Sequence, residues 1–162
     1  MIKRKLEEEI KSKFFGGKII LIMGPRQVGK RTLTKIITEK YTEDLLWFNG
    51  DASDVRGLFS DTTAVQLERI IGKKKIIVID EAQRIKNIGL TLKIMIDNFP
   101  EKQIIVTGSS SLELANKIKE PLTGRKFEYH LYPLSFEEML NHTDYLSEHR
   151  LLEQRMIYGY YP

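Results

Sequence analysis

The sequence predicts a three-layer α/β/α sandwich around a parallel five-stranded sheet. Three observations carry this expectation. Short apolar runs recur along the chain with helix-like stretches between them. The runs at residues 75–80 and 103–107 are apolar without alternation, as strands buried on both faces are. A glycine-flanked turn joins the first run directly to a helix-like stretch.

The elements follow in order. Leu6, Ile10 and Phe14 fall at i, i+4 and i+8 and mark a first helix, which closes in a turn over residues 12–17. Residues 18–23 form the first strand. Residues 31–41 read as a helix through Leu33, Ile36 and Ile37. Residues 45–49 are the second strand. Val65, Leu67, Ile70 and Ile71 mark a helix over residues 63–71, with Gly72 at its C-cap. After the third strand, residues 75–80, a helix over 90–99 carries Leu92, Ile94, Met95, Ile96 and Phe99 and stops at Pro100. The fourth strand is 103–107 and the fifth is 126–131. The tail from Ser135 holds two helices, the first opened by the capping box Ser135-Phe136-Glu137-Glu138. The aromatic end, Tyr158 to Tyr161, should either fold back on the domain or belong to a longer chain, because such rings pack against something.

Bulk composition excludes several classes. With 162 residues, 41% hydrophobic and 30% charged, the chain suits one globular domain. It has no cysteine, which excludes disulfides and thiolate metal sites. His130, His142 and His149 lack metal-ligand spacing. Apolar runs fall far short of the roughly 20 residues that span a bilayer. The N-terminus turns acidic at Glu7, Glu8 and Glu9 where an export signal would be apolar, so no membrane partner and a cytoplasmic location are expected. Net charge is +4 and pI about 9.2. Lys3-Arg4-Lys5 and Lys73-Lys74-Lys75 are the tight basic clusters; a nucleic-acid footprint is the minority reading against solvated lysines.

The chemistry concentrates at Gly24-Pro25-Arg26-Gln27-Val28-Gly29-Lys30-Arg31-Thr32. This meets the phosphate-loop pattern G-x-x-x-x-G-K-[ST] up to its last position. Gly24 and Gly29 allow backbone shapes that aim N–H groups at an anion. The following helix adds its positive end, and Lys30 adds an ammonium for the β- and γ-phosphates. All nine residues are expected to contact nucleotide. The third strand ends in Asp80-Glu81, about 50 residues later. Asp80 would hold Mg²⁺ directly or through water, and Glu81 would orient or activate the attacking water. In a parallel sheet both motifs face one crevice. At the fourth strand tip, Thr107 and Ser109 are candidates for the γ-phosphate or the water, and Ser110 or Ser111 for a helix N-cap. Arg125 either reaches phosphates of its own or a neighbouring subunit, or is a surface arginine.

Residues 24–30, 79–83 (Ile-Asp-Glu-Ala-Gln), 107–110 (Thr-Gly-Ser-Ser), 122–125 (Leu-Thr-Gly-Arg) and 131–138 together resemble the prokaryotic AAA+-like ATP-binding proteins. The resemblance runs across nearly the whole chain. It implies a P-loop NTPase fold of the additional-strand (AAA+/ASCE) type with strand order 5-1-4-3-2. It implies ATP and Mg²⁺ as cofactors, ATP hydrolysis, and self-association. It makes Lys30 the Walker A lysine, Asp80 and Glu81 the Walker B pair, Ser109 the first sensor and Arg125 an arginine finger. It further implies an ATP-binding domain over residues 1–140 and a helical tail over 141–162 leading to a C-terminal region beyond Pro162.

The chain departs from the family at Arg31, where a Ser or Thr would ligate Mg²⁺. A guanidinium has no acceptor lone pair and cannot lose its charge. Thr32 points about 100° away on the helix. Either Arg31 supplies charge in place of the ion, pairing Asp80 or a phosphate, or it swings into solvent. Hydrolysis is therefore expected to be impaired. The alternative function is a non-hydrolysing nucleotide-dependent switch or binding module, with a DNA-associated module as a third reading.

Overall fold

The computed structural model describes residues 2–109, Ile118 and residues 120–160. A single five-stranded parallel sheet runs β2-β3-β4-β1-β5. Its strands are β1 (Ile19–Gly24), β2 (Leu45–Asn49), β3 (Ile76–Asp80), β4 (Gln103–Ser109) and β5 (Lys126–His130). This is the expected order read from the other edge. Around it lie α1 (Leu6–Lys11), α2 (Lys30–Thr38), α3 (Ser53–Phe59), α4 (Ala64–Ile71), α5 (Ile88–Asn98), α6 (Phe136–Leu140) and α7 (Tyr145–Tyr158).

The unalternating strands are buried on both faces. Ile19, Leu21 and Met23 of β1 join one core with β3, α4 and α5, while Ile20 and Ile22 join the other with Leu33 and Ile37 of α2. Each such side chain taken fully from water contributes about 1.5–3 kcal/mol. The strand tips stand level: Asn49 pairs with Asp80, and Gly24 with Ser109. The β3–β4 register pairs Ile79 with Val106, so the next step sets Asp80 beside Thr107. The whole carboxyl edge of the sheet therefore forms one rim, with β4 between the phosphate loop and Asp80.

Several local expectations meet their geometry. Gly72 caps α4 with φ 51°, and the Ser135–Glu138 capping box forms at α6. A second box, Thr63 with Gln66, opens α4. Helix α3 was not expected. The cap expected at Ser110 or Ser111 lies outside the described residues. At the aromatic end, Tyr160 folds back: its carbonyl accepts from Leu134 N at 2.7 Å, and Arg155 lies over its ring. Met156, Ile157 and Tyr158 instead face solvent, each at least 75% exposed.

Candidate nucleotide-binding site

Strand β1 delivers the chain to the rim at Gly24, and helix α2 leaves it at Lys30. The turn between them needs two unusual residues. Gly29 has φ 90° and precedes the first turn of α2, whose N-terminal N–H groups face the rim. Gln27 holds a left-handed backbone too, at φ 65°. Gly24 serves differently from the expectation: its φ is not positive. A Cβ there would stand 2.2 Å from the Leu131 carbonyl oxygen, so close approach to the segment after β5 requires the glycine.

Lys30 is buried, and its Nζ donates to the carbonyls of Gly24 at 2.9 Å and Pro25 at 2.7 Å. Burial pushes its pKa below the usual lysine value, against the pull of Glu81 and Asp80. An ammonium held this way, on neutral acceptors in a desolvated place, favours an incoming anion.

Across β4 lies Asp80, also buried. The Thr107 hydroxyl donates to its Oδ1, and the Glu81 N–H donates to Thr107 Oγ1 at 3.4 Å. Thr107 thus positions Asp80, a role its place at a strand tip did not reveal. Glu81 takes left-handed backbone, φ 52°, which costs a non-glycine residue about 1 kcal/mol or more. Gly50 lets it do so, because a Cβ there would come within 2.5 Å of the Glu81 carbonyl oxygen. The Gln83 amide donates to Glu81 Oε2. Ser109 stands beside Gly24 on β4.

Arg31 Nε approaches Asp80 Oδ2 at 3.8 Å, and its guanidinium lies 5.9 Å from the centre of the Trp47 ring. Its side chain remains 61% exposed. Of the two arrangements expected for it, pairing with Asp80 is the one seen. Arg26, Gln27, Lys30, Arg31, Asp80 and Glu81 line one cleft of about 830 Å³. Gly29 and Thr32 line it too, whereas Gly24, Pro25, Val28 and Ser109 of the expected set are not among its lining residues.

Arg125 does not join them. The Ile19 N–H donates to its carbonyl at 2.9 Å, which sets it level with the start of β1. Five residues at about 3.3 Å each separate it from Gly24, about 16 Å in all and beyond the reach of its side chain. Its Nε pairs with Asp97 Oδ1 at 2.7 Å. Its own chain's phosphate loop is out of range.

Arg4 is the residue that the sequence reading overlooked. Counted there among a basic cluster, it is buried against the loop, in the wall of the same cleft. It donates to the Val28 carbonyl at 2.8 Å, to the Tyr132 carbonyl, and to Glu138 Oε1 at 3.1 Å. Glu138 also accepts from the backbone of Lys5 and Ser135 at 2.9 Å each. Burial pushes the Glu138 carboxyl up, but those N–H groups and the Arg4 guanidinium outweigh it and hold its pKa below the usual carboxylate range.

A magnesium ion requires oxygen ligands in near-octahedral array. Here position 31 offers only N–H donors, Asp80 Oδ1 accepts from Thr107, and Oδ2 faces the guanidinium. Among the described residues no group of three or more His, Asp or Glu side chains is placed to hold a metal. Position 31 therefore withholds the hydroxyl ligand expected of the loop, and Asp80, the expected metal ligand, is shared between Thr107 and Arg31.

Residues 16–140 match the family model described as the AAA domain. The chain belongs to this family. It is a P-loop, AAA+-type ATP-binding domain. The AAA domain is 29% identical over 108 residues to the uncharacterized protein Rv2008c of Mycobacterium tuberculosis, covering 66% of this chain and 23% of that one. It is 28% identical over 138 residues to the uncharacterized protein MJ1544 of Methanocaldococcus jannaschii, covering 83% and 31%. The chain thus spans less than a third of the length of these relatives. Among solved structures it resembles the RuvB Holliday junction branch migration motor of Thermotoga maritima (TM-score 0.56, 16% identity, 86% of this chain and 49% of that). It also resembles the Pif1 helicase of Candida albicans (TM-score 0.54, 14% identity, 87% and 44%). At these identities the likeness concerns the fold. No helix among the described residues is long and apolar enough to cross a membrane.

Proposed function

We propose that this AAA domain binds ATP at residues 24–32 and acts as a nucleotide-dependent switch with slow turnover. The observation that carries this reading is Lys30, buried on two loop carbonyls in the same cleft as Asp80 and Glu81. The loop N–H groups and the start of α2 would bind the phosphates, and Lys30 would move from its carbonyls to a phosphate oxygen. Ser109 would sit near the γ-phosphate. Glu81 would accept a proton from the water that attacks the γ-phosphorus as the bond to the β-phosphate oxygen breaks. A guanidinium at position 31 stands where a hydroxyl would hold a divalent ion at the leaving oxygen, so the step is slow.

Calorimetric titration with ATP tests the binding. Lys30→Ala should weaken it by on the order of tenfold or more, from the loss of a charge-assisted contact; unchanged affinity would overturn the reading. Phosphate release from the wild type and from Glu81→Gln then separates switch from hydrolase. Equal, low rates support the switch, and a large drop in the variant supports hydrolysis. A role for Arg125 on nucleotide requires a neighbouring copy, so any effect of Arg125→Ala on turnover should grow with protein concentration.

A second reading, action on nucleic acid, draws on the likeness to a branch migration motor and a helicase and on the charge of +4. The basic clusters lend it little. Lys74 bonds the Glu43 carbonyl, Lys75 pairs with Asp44 at 2.9 Å, and Arg4 is buried. Salt-dependent DNA binding would support this reading.

A further inference from the structure

We propose that Arg31 takes the place of the magnesium ion, so that this cleft binds ATP free of metal. The inference rests on the ATP-binding reading above and names how that site meets the triphosphate charge. The guanidinium occupies the position after the loop lysine, within 3.8 Å of the Asp80 carboxylate that would otherwise face a cation. It is the right group to stand there: a fixed positive charge that can donate to Asp80 and to a phosphate oxygen at once.

Three features hold it in that role. Asp80 is buried and fixed by the Thr107 hydroxyl, so its charge is directed toward Arg31. Trp47, on edge strand β2, gives the guanidinium an aromatic face to rest on. Arg4, Arg26, Lys30 and Arg84 line the same cleft, so with Arg31 five cations face three carboxylates, Asp51, Asp80 and Glu81. Metal-free ATP is more negative than its magnesium complex and matches that surplus better. A divalent ion entering beside Asp80 would meet Arg31 at close range and would have to displace it.

Trp47 is the sole tryptophan of the chain, so its emission reports on the guanidinium above it. ATP is titrated into the wild type with magnesium or with excess EDTA, followed by Trp47 fluorescence and by calorimetry. The expected Kd in EDTA lies within about threefold of that in magnesium. Arg31→Gln should bind on the order of tenfold more weakly in EDTA, and Arg31→Thr should bind on the order of tenfold more tightly with magnesium than without. A wild type that loses tenfold or more in EDTA overturns the substitution while leaving ATP binding intact. A wild type that binds ATP in neither condition overturns both. Arg31 is mostly exposed, so the variants should keep the fold, and the wild-type comparison decides the matter without them.

Discussion

Arg4 and Arg31 each pair with a carboxylate beside the phosphate loop and both line its cleft, the Arg4 pair (the rear pair) buried in the wall and the Arg31 pair (the front pair) open to solvent. The Arg4–Glu138 pair is buried on both sides, with side chains 8% and 7% exposed; Arg4 also donates to the Val28 and Tyr132 carbonyls, and Glu138 accepts from the N–H groups of Lys5 and Ser135. The Arg31–Asp80 pair has one buried partner and one in solvent, at 3.8 Å. The rear pair ties the N-terminus, the loop and α6 into one body. The front pair leaves its arginine free to move between a carboxylate and a ligand. The same two chemical groups thus give rigidity where they are dry and bonded on several sides, and adaptability where one stays wet.

The largest test of the contrast is Arg4→Ala. It strands the Glu138 carboxylate in a buried place and removes donors from two carbonyls. Loss of one partner of a buried pair costs about 3–5 kcal/mol. Urea unfolding should show it as a fall in the midpoint, and a change below about 1 kcal/mol would place the pair with ordinary surface bridges.

Gly24→Ala comes next. Its Cβ would meet the Leu131 carbonyl at 2.2 Å, and backbone on both sides must shift. We expect a loss of about 1–3 kcal/mol, the usual cost of overpacking. Gly57, in α3, has nothing within 4 Å of an added Cβ, so Gly57→Ala should instead gain about 0.5–1 kcal/mol. Equal effects at both sites would remove close packing as the reason for glycine at position 24.

Acid should erode the rear pair selectively. The Glu138 pKa is depressed in the folded state, so its stabilisation is complete above the unfolded carboxyl value of about 4.3 and is lost as pH falls through the folded value. In Arg4→Ala the carboxyl loses one of the groups that hold it down. The stability gap between wild type and Arg4→Ala should therefore narrow from pH 7 to below pH 4. A gap that stays constant would mean that Arg4 acts by packing alone.

The front of the loop was legible in the sequence because its signals are local. Gly29 and Lys30 close the turn that follows β1, Asp80 ends β3 with Glu81 next, and a parallel sheet brings strand ends together. Arg4 was not legible, because its partners lie 24, 128 and 134 residues away. Helix α3 escaped because only Val55 and Phe59 of its seven residues are buried, too few to set a helical period. Arg125 could have been placed. A residue that precedes a parallel strand stands at the opposite end of the sheet from residues that follow one. Gly50 left a trace as well, a lone glycine at the tip of β2 where the strand meets Asp80 and Glu81.

The smallest expected effect is the most telling for the front pair. Arg31→Ala should change stability by about 0–1 kcal/mol, because a long, solvated side chain gains little from a loose ion pair and loses entropy in making it. Added salt should erase even that, since the exposed partner is screened. The same variant should nonetheless weaken ATP binding in EDTA on the order of tenfold, about 1.4 kcal/mol. A residue that matters more to a ligand than to the fold is one whose native contact is provisional. If unfolding experiments gave Arg31→Ala a loss near that of Arg4→Ala, Arg31 would be a second structural tie, and its approach to Asp80 would belong to the scaffold rather than to the nucleotide.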